Sequence, residues 1–99
     1  MKTEISMHST VVAGKDQISA DLGEEAAVLQ LKNGIYYGLD PIGARIWDLI
    51  RKPRKVNQIL GCLLEEYQVE PDRCGQDLLD LLKQLHAEGL VEVTNEKTA

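Results

Sequence analysis

Residues 31–49 read LKNGIYYGLDPIGARIWDL, and they hold more information about the fold than any other stretch of this chain. They predict the end of one strand, a tight Asn33-Gly34 turn, a second strand over residues 35–39 and a helix that begins after Asp40. Asn-Gly is typical of a two-residue hairpin turn, in which both central residues need a positive φ. Asp40 is suited to cap the helix, and the proline after it lacks an N–H that would otherwise have no partner.

The predicted hairpin carries apolar residues on both of its faces. A two-residue turn places Leu31 opposite Tyr36 and Leu29 opposite Gly38 on one face, and Val28 opposite Leu39 and Gln30 opposite Tyr37 on the other. One face is expected to pack on the helices, whereas the other needs a cover or a partner. The strand over residues 35–39 has no Lys, Glu or interior Pro, which often protect a sheet edge, so an open edge is expected here.

Length and composition limit the classes of protein that this chain can belong to. Its 99 residues are enough for one small domain, and 43% hydrophobic and 27% charged residues are typical of a globular fold. There is no apolar run long enough for a transmembrane helix or a secretion signal, so a cytoplasmic location is expected. The net charge of −5 disfavours non-specific binding to nucleic acid and favours a basic partner or simple solubility.

The rest of the chain predicts strands on either side of three helices. Strands are expected over residues 4–12, 17–22, 26–32 and 90–93, and helices over residues 42–50, 56–67 and 71–88. This order predicts a single α+β domain over residues 1–99, winged helix-turn-helix-like, with an N-terminal three-stranded antiparallel sheet followed by three helices. A DNA-binding winged helix remains an alternative, but the third helix is acidic and leucine-rich where a recognition helix is usually basic and polar.

No motif in the chain predicts catalysis, a cofactor or a metal site. Phosphate-binding glycine loops, nucleophile elbows and metal-spaced Cys or His residues are all missing from the sequence. Cys62 and Cys74 are most simply explained as buried or half-buried thiols, with a disulfide or a metal pair as alternatives. The sequence therefore favours a binding protein over an enzyme.

Two features predict where a peptide would bind. The open edge is one, and the third helix is the other, because its leucines cover an arc of roughly 160°, wider than the ~100° stripe that a simple surface helix needs. The predicted peptide-binding residues are Ile35, Tyr36, Tyr37, Gly38, Leu39, Asp77, Leu78, Asp80, Leu81, Leu82 and Leu85. Two alternatives stay open: all of these leucines belong to the core, and the two aspartates only solvate the helix. A homodimer that satisfies its own strand edge is a further alternative.

Residues 34–47, GIYYGLDPIGARIW, resemble a motif of the PqqD-like family, the recognition elements for ribosomally made and modified peptides. The run typical of that family is Gly-x-Tyr-Tyr-x-Leu-Asn-x-x-Gly-Ala-x-Ile-Trp, from which this chain departs only at Asp40. Further matches are residues 56–59, residues 66–69 and the closing run from Asp77 to Leu90. The resemblance covers about residues 17–93 and leaves residues 1–16 unexplained.

The resemblance implies a domain that binds the leader segment of a precursor peptide as an added strand, beside the third strand and the third helix. It implies no chemistry by the domain itself, since the precursor is presented to separate enzymes. Members of this length with a Tyr-Tyr-x-Leu strand look like the recognition protein of lasso-peptide biosynthesis, which works with a leader peptidase and a cyclase. The other candidate within the family is a PqqD-type chaperone that hands its peptide to a radical enzyme in cofactor biosynthesis.

Overall fold

The order of elements along the chain is four strands, three helices with a short strand between the first two, and a closing strand. The computed structural model describes residues 4–94. The elements are β1 (Thr10–Ala13), β2 (Gln17–Leu22), β3 (Glu25–Gln30), β4 (Tyr36–Leu39), α1 (Pro41–Leu49), β5 (Arg54–Lys55), α2 (Val56–Glu66), α3 (Pro71–Ala87) and β6 (Val91–Thr94). This confirms the expected α+β class, with a three-stranded antiparallel sheet that precedes three helices.

Strands β2, β3 and β4 form an antiparallel meander in that spatial order. In the β3–β4 pair, Val28 lies opposite Tyr37 and Ala26 lies opposite Leu39, so the predicted register is wrong by two residues. The cause is the turn, which uses four residues, 31–34, and is closed by a 2.8 Å hydrogen bond from the Gly34 N–H to the Gln30 carbonyl. Because side chains alternate with a period of two, this slip leaves every residue on the face predicted for it.

The predicted two-residue turn fails because Asn33 does not adopt a positive φ. Only Gly34 does, with φ of 71°. Asn33 instead accepts a 2.9 Å hydrogen bond at Oδ1 from the Ile35 N–H, the side-chain-to-backbone bond by which Asn often forms turns. The Asn-Gly pair therefore forms part of a four-residue loop. Strand β3 ends at Gln30, two residues before the predicted end.

A second sheet, in the order β5-β1-β6, joins the two ends of the described chain. Strand β1 pairs with β6 from Thr10 opposite Thr94 to Ala13 opposite Val91, and with the two-residue β5 on its other side. The strand expected over residues 4–12 is thus confined to its last part, and β5 was not predicted. Two residues are too few to show an alternating pattern, so β5 is visible only through its long-range partner.

The helix caps follow the sequence closely. Asp40 Oδ1 accepts a 2.7 Å hydrogen bond from the Gly43 N–H, and Pro41 occupies the first turn of α1. Helix α3 likewise begins at a proline and ends before Gly89, whose φ of 74° is left-handed. Strand β4 therefore passes into α1 through a single capping residue, which places the N-terminal end of α1 beside the end of the edge strand.

The hydrophobic core lies between the inner face of the meander and the three helices. Trp47 of α1 and Ile50 just after that helix, Ile59 and Leu63 of α2, and Val28 of β3 are each at most 2% exposed. The inner face, which also includes Ala26 and Leu39, is buried, and the outer face is left exposed. This confirms the expectation that one face of the hairpin packs on the helices. Cys62 is half-buried and Cys74 is buried, and both are free thiols.

Candidate functional site

Strand β4 is an edge strand whose hydrogen-bonding groups on one side are vacant. Among the described residues it pairs with β3 alone. The Gln30 N–H donates to the Ile35 carbonyl at 3.0 Å, which identifies that pair as hydrogen-bonded. Since such pairs alternate along an antiparallel ladder, Tyr37 and Leu39 also point their backbone groups toward β3. The N–H and C=O groups of Tyr36 and Gly38 point the other way, and no group within residues 4–94 bonds to them.

An open groove runs beside this free edge, between β4, the first turn of α1 and the N-terminal half of α3. Its volume is about 580 Å³. Gly38 lies at the strand side of the groove and Leu78 on the α3 side. The other apolar side chains that line it are Leu39, Ile42, Ile46, Leu63, Val69 and Leu81. Leu39, Ile46 and Leu63 are also buried residues of the hydrophobic core. The floor of the groove is therefore formed by the edge of that core.

Charged residues border the groove. Asp40 lies at the start of α1, Glu70 and Arg73 at the start of α3, and Asp77 one turn further along α3. Arg73 and Asp77 are four residues apart on the same helix, yet no salt bridge joins them within the described part of the chain. The border is therefore mixed but mainly acidic; Asp40 is engaged as the cap of α1, whereas Glu70, Arg73 and Asp77 have no ion-pair partner among the described residues.

A polar cluster ties the hairpin to the C-terminal end of α3. The Tyr37 hydroxyl donates a 2.6 Å hydrogen bond to Glu88 Oε2, and Gln30 Nε2 donates to the Glu88 carbonyl at 2.9 Å. The bond to the Glu88 carboxylate raises the pKa of the Tyr37 phenol, since it stabilises the protonated form, and partial burial adds to the shift. The first bond ties β4, and the second ties β3, to the end of α3, so both strands of the hairpin are fixed to the helix that forms the other wall of the site.

The structure divides the residues that the sequence predicted for peptide binding. Tyr36, Gly38 and Leu39 lie on the edge strand, Ile35 comes just before it, and Tyr37 points inward to Glu88. Asp77, Leu78 and Leu81 line the groove, although Leu78 is only 1% exposed. Asp80 does not line it and instead accepts a 2.9 Å hydrogen bond from Gln76.

The structure does not support the prediction that Leu82 and Leu85 contact the peptide. They are 0% and 3% exposed, belong to the core and do not line the groove. Both lie on the stripe of α3 that packs against the rest of the domain, so a peptide at the surface has no access to them. The sequence left open that these leucines belong to the core, and the structure places these two residues there.

Sequence reasoning missed the part of the groove that α1, α2 and the loop before α3 contribute. Ile42, Ile46, Leu63, Val69 and Arg73 all line it. The first two had a usable signal, because α1 follows β4 after one residue and its first turn must lie next to the strand end. Leu63 and Val69 had none, since their positions depend on how α2 packs against α3.

The site is made of backbone groups and apolar side chains. Within residues 4–94, no group of His, Cys, Asp and Glu side chains is arranged to hold a metal ion. None of the described helices has the length and apolar character that a membrane span requires. What the site can do chemically is supply four backbone hydrogen-bonding groups along an edge and apolar contacts in the adjacent groove.

Comparisons with known proteins agree with this architecture. A solved structure of TbiB1 in complex with the TbiA(beta) leader peptide is similar to this chain, with 32% sequence identity and a TM-score of 0.76. The similarity covers 82% of this chain and 94% of that chain. No curated protein sequence matches the chain. The family described as coenzyme PQQ synthesis protein D (PqqD) matches residues 25–91, more than half of the chain. The family resemblance seen in the sequence is thereby confirmed, and this chain belongs to the PqqD family.

Proposed function

We propose that this chain binds the leader segment of a ribosomally made precursor peptide by strand addition at the free edge of β4. The leader lies beside Tyr36 and Gly38, and its inward-facing apolar side chains enter the groove lined by α1 and α3. The chain then presents the precursor to a separate leader peptidase and cyclase in lasso-peptide biosynthesis. It performs no chemistry itself.

The observation that carries this proposal is the position of the vacant edge beside the apolar groove. Strand β2 is also an edge strand, but the groove lies beside β4. An added strand at β4 gains up to four backbone hydrogen bonds from Tyr36 and Gly38. Alternate side chains of that strand point into the groove, and such pockets give strand-addition sites their sequence preference.

The identity of the peptide rests on the similarity to TbiB1, whose solved structure holds a leader peptide. The similarity extends over nearly all of that chain, so no large part of its fold is missing here. This favours a lasso-type precursor over the cofactor pathway that the family description names. A DNA-binding role has less support because the α3 surface carries Asp72, Asp77 and Asp80, which repel phosphates.

The decisive experiment removes one vacant edge donor without disturbing the β3–β4 ladder. In Gly38→Pro the lost N–H is one that points away from β3, and proline is tolerated on edge strands at such positions. We expect the synthetic leader of the precursor encoded beside this chain to bind this variant more than about tenfold less tightly, measured by fluorescence polarisation. Gly38→Ala is the matched control, since a Cβ there meets nothing within 4 Å and the N–H remains.

A second measurement leaves the protein unchanged. Leader peptides N-methylated at single positions are compared, and the loss of affinity is expected at every second residue of the bound segment, because only alternate amides of an added strand face β4. Wild-type affinity for Gly38→Pro, together with N-methyl effects that show no two-residue period, would refute strand addition at this edge.

A further inference from the structure

The loop between β3 and β4 contains a chemically labile pair, Asn33-Gly34. An asparagine followed by glycine readily loses its side-chain amide, because no side chain on the glycine hinders attack by its backbone nitrogen on the asparagine Cγ. The chain has three asparagines, Asn33, Asn57 and Asn95, and only Asn33 precedes a glycine. Both residues of the pair are exposed and neither lines the peptide groove. Water therefore reaches the pair.

The Asn33 side chain is folded back onto the loop in an arrangement that suits this reaction. Its Oδ1 accepts a 2.9 Å hydrogen bond from the Ile35 N–H, two residues further along the chain. A turn of this kind brings the Asn33 Cγ toward the nitrogen of the residue in between, Gly34. The Ile35 N–H also points at the oxygen on which negative charge develops when Cγ is attacked, as the donors of an oxyanion hole do.

One hydrogen bond restrains the attacking nitrogen. The Gly34 N–H donates to the Gln30 carbonyl at 2.8 Å, and this bond must open before the nitrogen can lose its proton. Residues 31–34 are all exposed, and backbone hydrogen bonds in exposed loops open at a small cost in free energy. The bond therefore slows the reaction without preventing it.

We propose that Asn33 is a site of modification by deamidation, and that the carboxylate formed there weakens the attachment of the hairpin to α3. The Gly34 nitrogen, once it has lost its proton, forms a bond to the Asn33 Cγ. The bond from Cγ to Nδ2 then breaks, and Nδ2 takes up protons and leaves as ammonia. Water opens the resulting succinimide at either of its two carbonyls, which gives aspartate or isoaspartate. Water is the only co-reactant.

Asn33 lies beside the polar cluster that joins the hairpin to α3. The Glu88 carboxylate raises the pKa of the Tyr37 phenol, and a hydrogen bond from the Asn33 side chain opposes that rise. An amide N–H has this effect because it stabilises the ionised phenol. Deamidation replaces this donor by an acceptor and brings a second negative charge near Glu88. The two carboxylates then repel each other and compete for the single proton of the Tyr37 hydroxyl.

The two products disturb the hairpin to different degrees. Aspartate adds a charge and leaves the backbone unchanged. Isoaspartate also routes the main chain through Cβ, which lengthens the loop and displaces the bond from Gly34 to Gln30 that closes it. Both changes act next to β4, which begins at Tyr36. The expected loss of leader affinity rests on the proposed function, whereas the modification and the weaker attachment of the hairpin do not.

The first measurement follows the modification itself. The full chain is incubated at mildly acidic and at mildly alkaline pH, and peptide mapping by mass spectrometry locates each amide that is converted to acid. Isoaspartate is detected by enzymatic methylation with an isoaspartyl methyltransferase. We expect conversion at Asn33, faster at alkaline pH because the attacking nitrogen must be deprotonated. Asn57 is the internal control, since it is exposed in the first turn of α2 but precedes Gln58.

The second measurement uses Asn33→Asp, which is one of the two products. We expect its melting temperature to fall by a few degrees and its affinity for the leader to fall by about twofold to tenfold. Asn57→Asp adds the same charge away from the hairpin and is expected to leave leader affinity unchanged. In a Glu88→Gln background the repulsion is absent, so Asn33→Asp is expected to cause a clearly smaller loss there.

The two measurements have separate outcomes that count against the proposal. Failure of Asn33 to convert, or conversion of Asn57 at the same rate, would overturn the assignment of the site. An Asn33→Asp variant with wild-type melting and affinity, or with an equal loss in the Glu88→Gln background, would overturn the coupling to α3. Absence of leader binding by the wild-type chain would instead refute the proposed function, and the mass and melting measurements would still decide the modification.

Discussion

The Tyr37 phenol donates a 2.6 Å hydrogen bond to Glu88 Oε2, which joins the edge strand β4 to the C-terminal end of α3. These two elements are the walls of the proposed peptide site. Tyr36, the preceding residue, is 69% exposed on the opposite face of the sheet. The two adjacent tyrosine side chains therefore lie in different environments. The inward tyrosine ties β4 to the end of α3, and the side chain of the outward one lies on the outer face of the sheet.

Tyr37→Phe is therefore expected to weaken leader binding, because β4 and α3 lose the bond that holds them in position. The loss is expected to be less than about tenfold, since one hydrogen bond is removed and the ring remains. Calorimetric titration measures it, and Tyr36→Phe is the matched control with unchanged affinity. Equal effects of the two variants would show that the bond to Glu88 does not organise the site.

Leu81 and Leu82 are neighbours on α3 with opposite roles. Leu82 is 0% exposed, so Leu82→Glu buries a charge in the core and is expected to unfold the domain, with loss of the native circular dichroism spectrum. Leu81 lines the groove, and Leu81→Ala is expected to leave the fold intact and weaken leader binding by about tenfold. Leu79→Ala, at a half-buried position outside the groove, is its control. A folded Leu82→Glu variant would contradict the core assignment.

Asp77 and Asp80 are one turn apart, but only Asp77 lines the groove. For a leader with a basic residue at the groove border, Asp77→Lys is expected to lower affinity by about tenfold at low salt and by less at high salt. Asp80→Lys makes the same change of charge and is expected to have a smaller effect. Identical salt-dependent losses in both variants would point to the net charge of α3 and not to a contact at Asp77.

The acid limb of the stability curve is expected to depend on Glu66. The Arg45 guanidinium binds both Glu66 oxygens at 2.8 Å and lowers the pKa of that carboxyl. A lowered folded-state pKa means that the stabilisation exists above the ordinary carboxyl pKa and is lost as the pH falls through the lowered value. Glu66→Gln should thus melt a few degrees below wild type at neutral pH, and the difference should narrow below about pH 4. Glu65→Gln should show no such trend.

The amino-acid sequence alone was sufficient for the parts of the fold that local patterns determine. The alternation in the hairpin predicted which residues share a face, and this division stayed correct although the register was wrong by two residues; the sequence did not show which of the two faces is buried. The Asp40-Pro41 pair predicted the start of α1, and Gly89 predicted the end of α3. Each of these depends on groups a few residues apart, so periodicity and capping chemistry are enough to predict it.

The tertiary structure decided everything that depends on distant partners. Strand β1 became part of a sheet only because β5 and β6 reach it from far along the chain, and the sequence signal of β5 is two residues long. Leu81 and Leu82 have the same side chain on the same helix, yet one lines a groove and the other is core. A helical pattern shows that a broad arc is apolar, but the elements that pack against that arc determine which residues remain open to a partner.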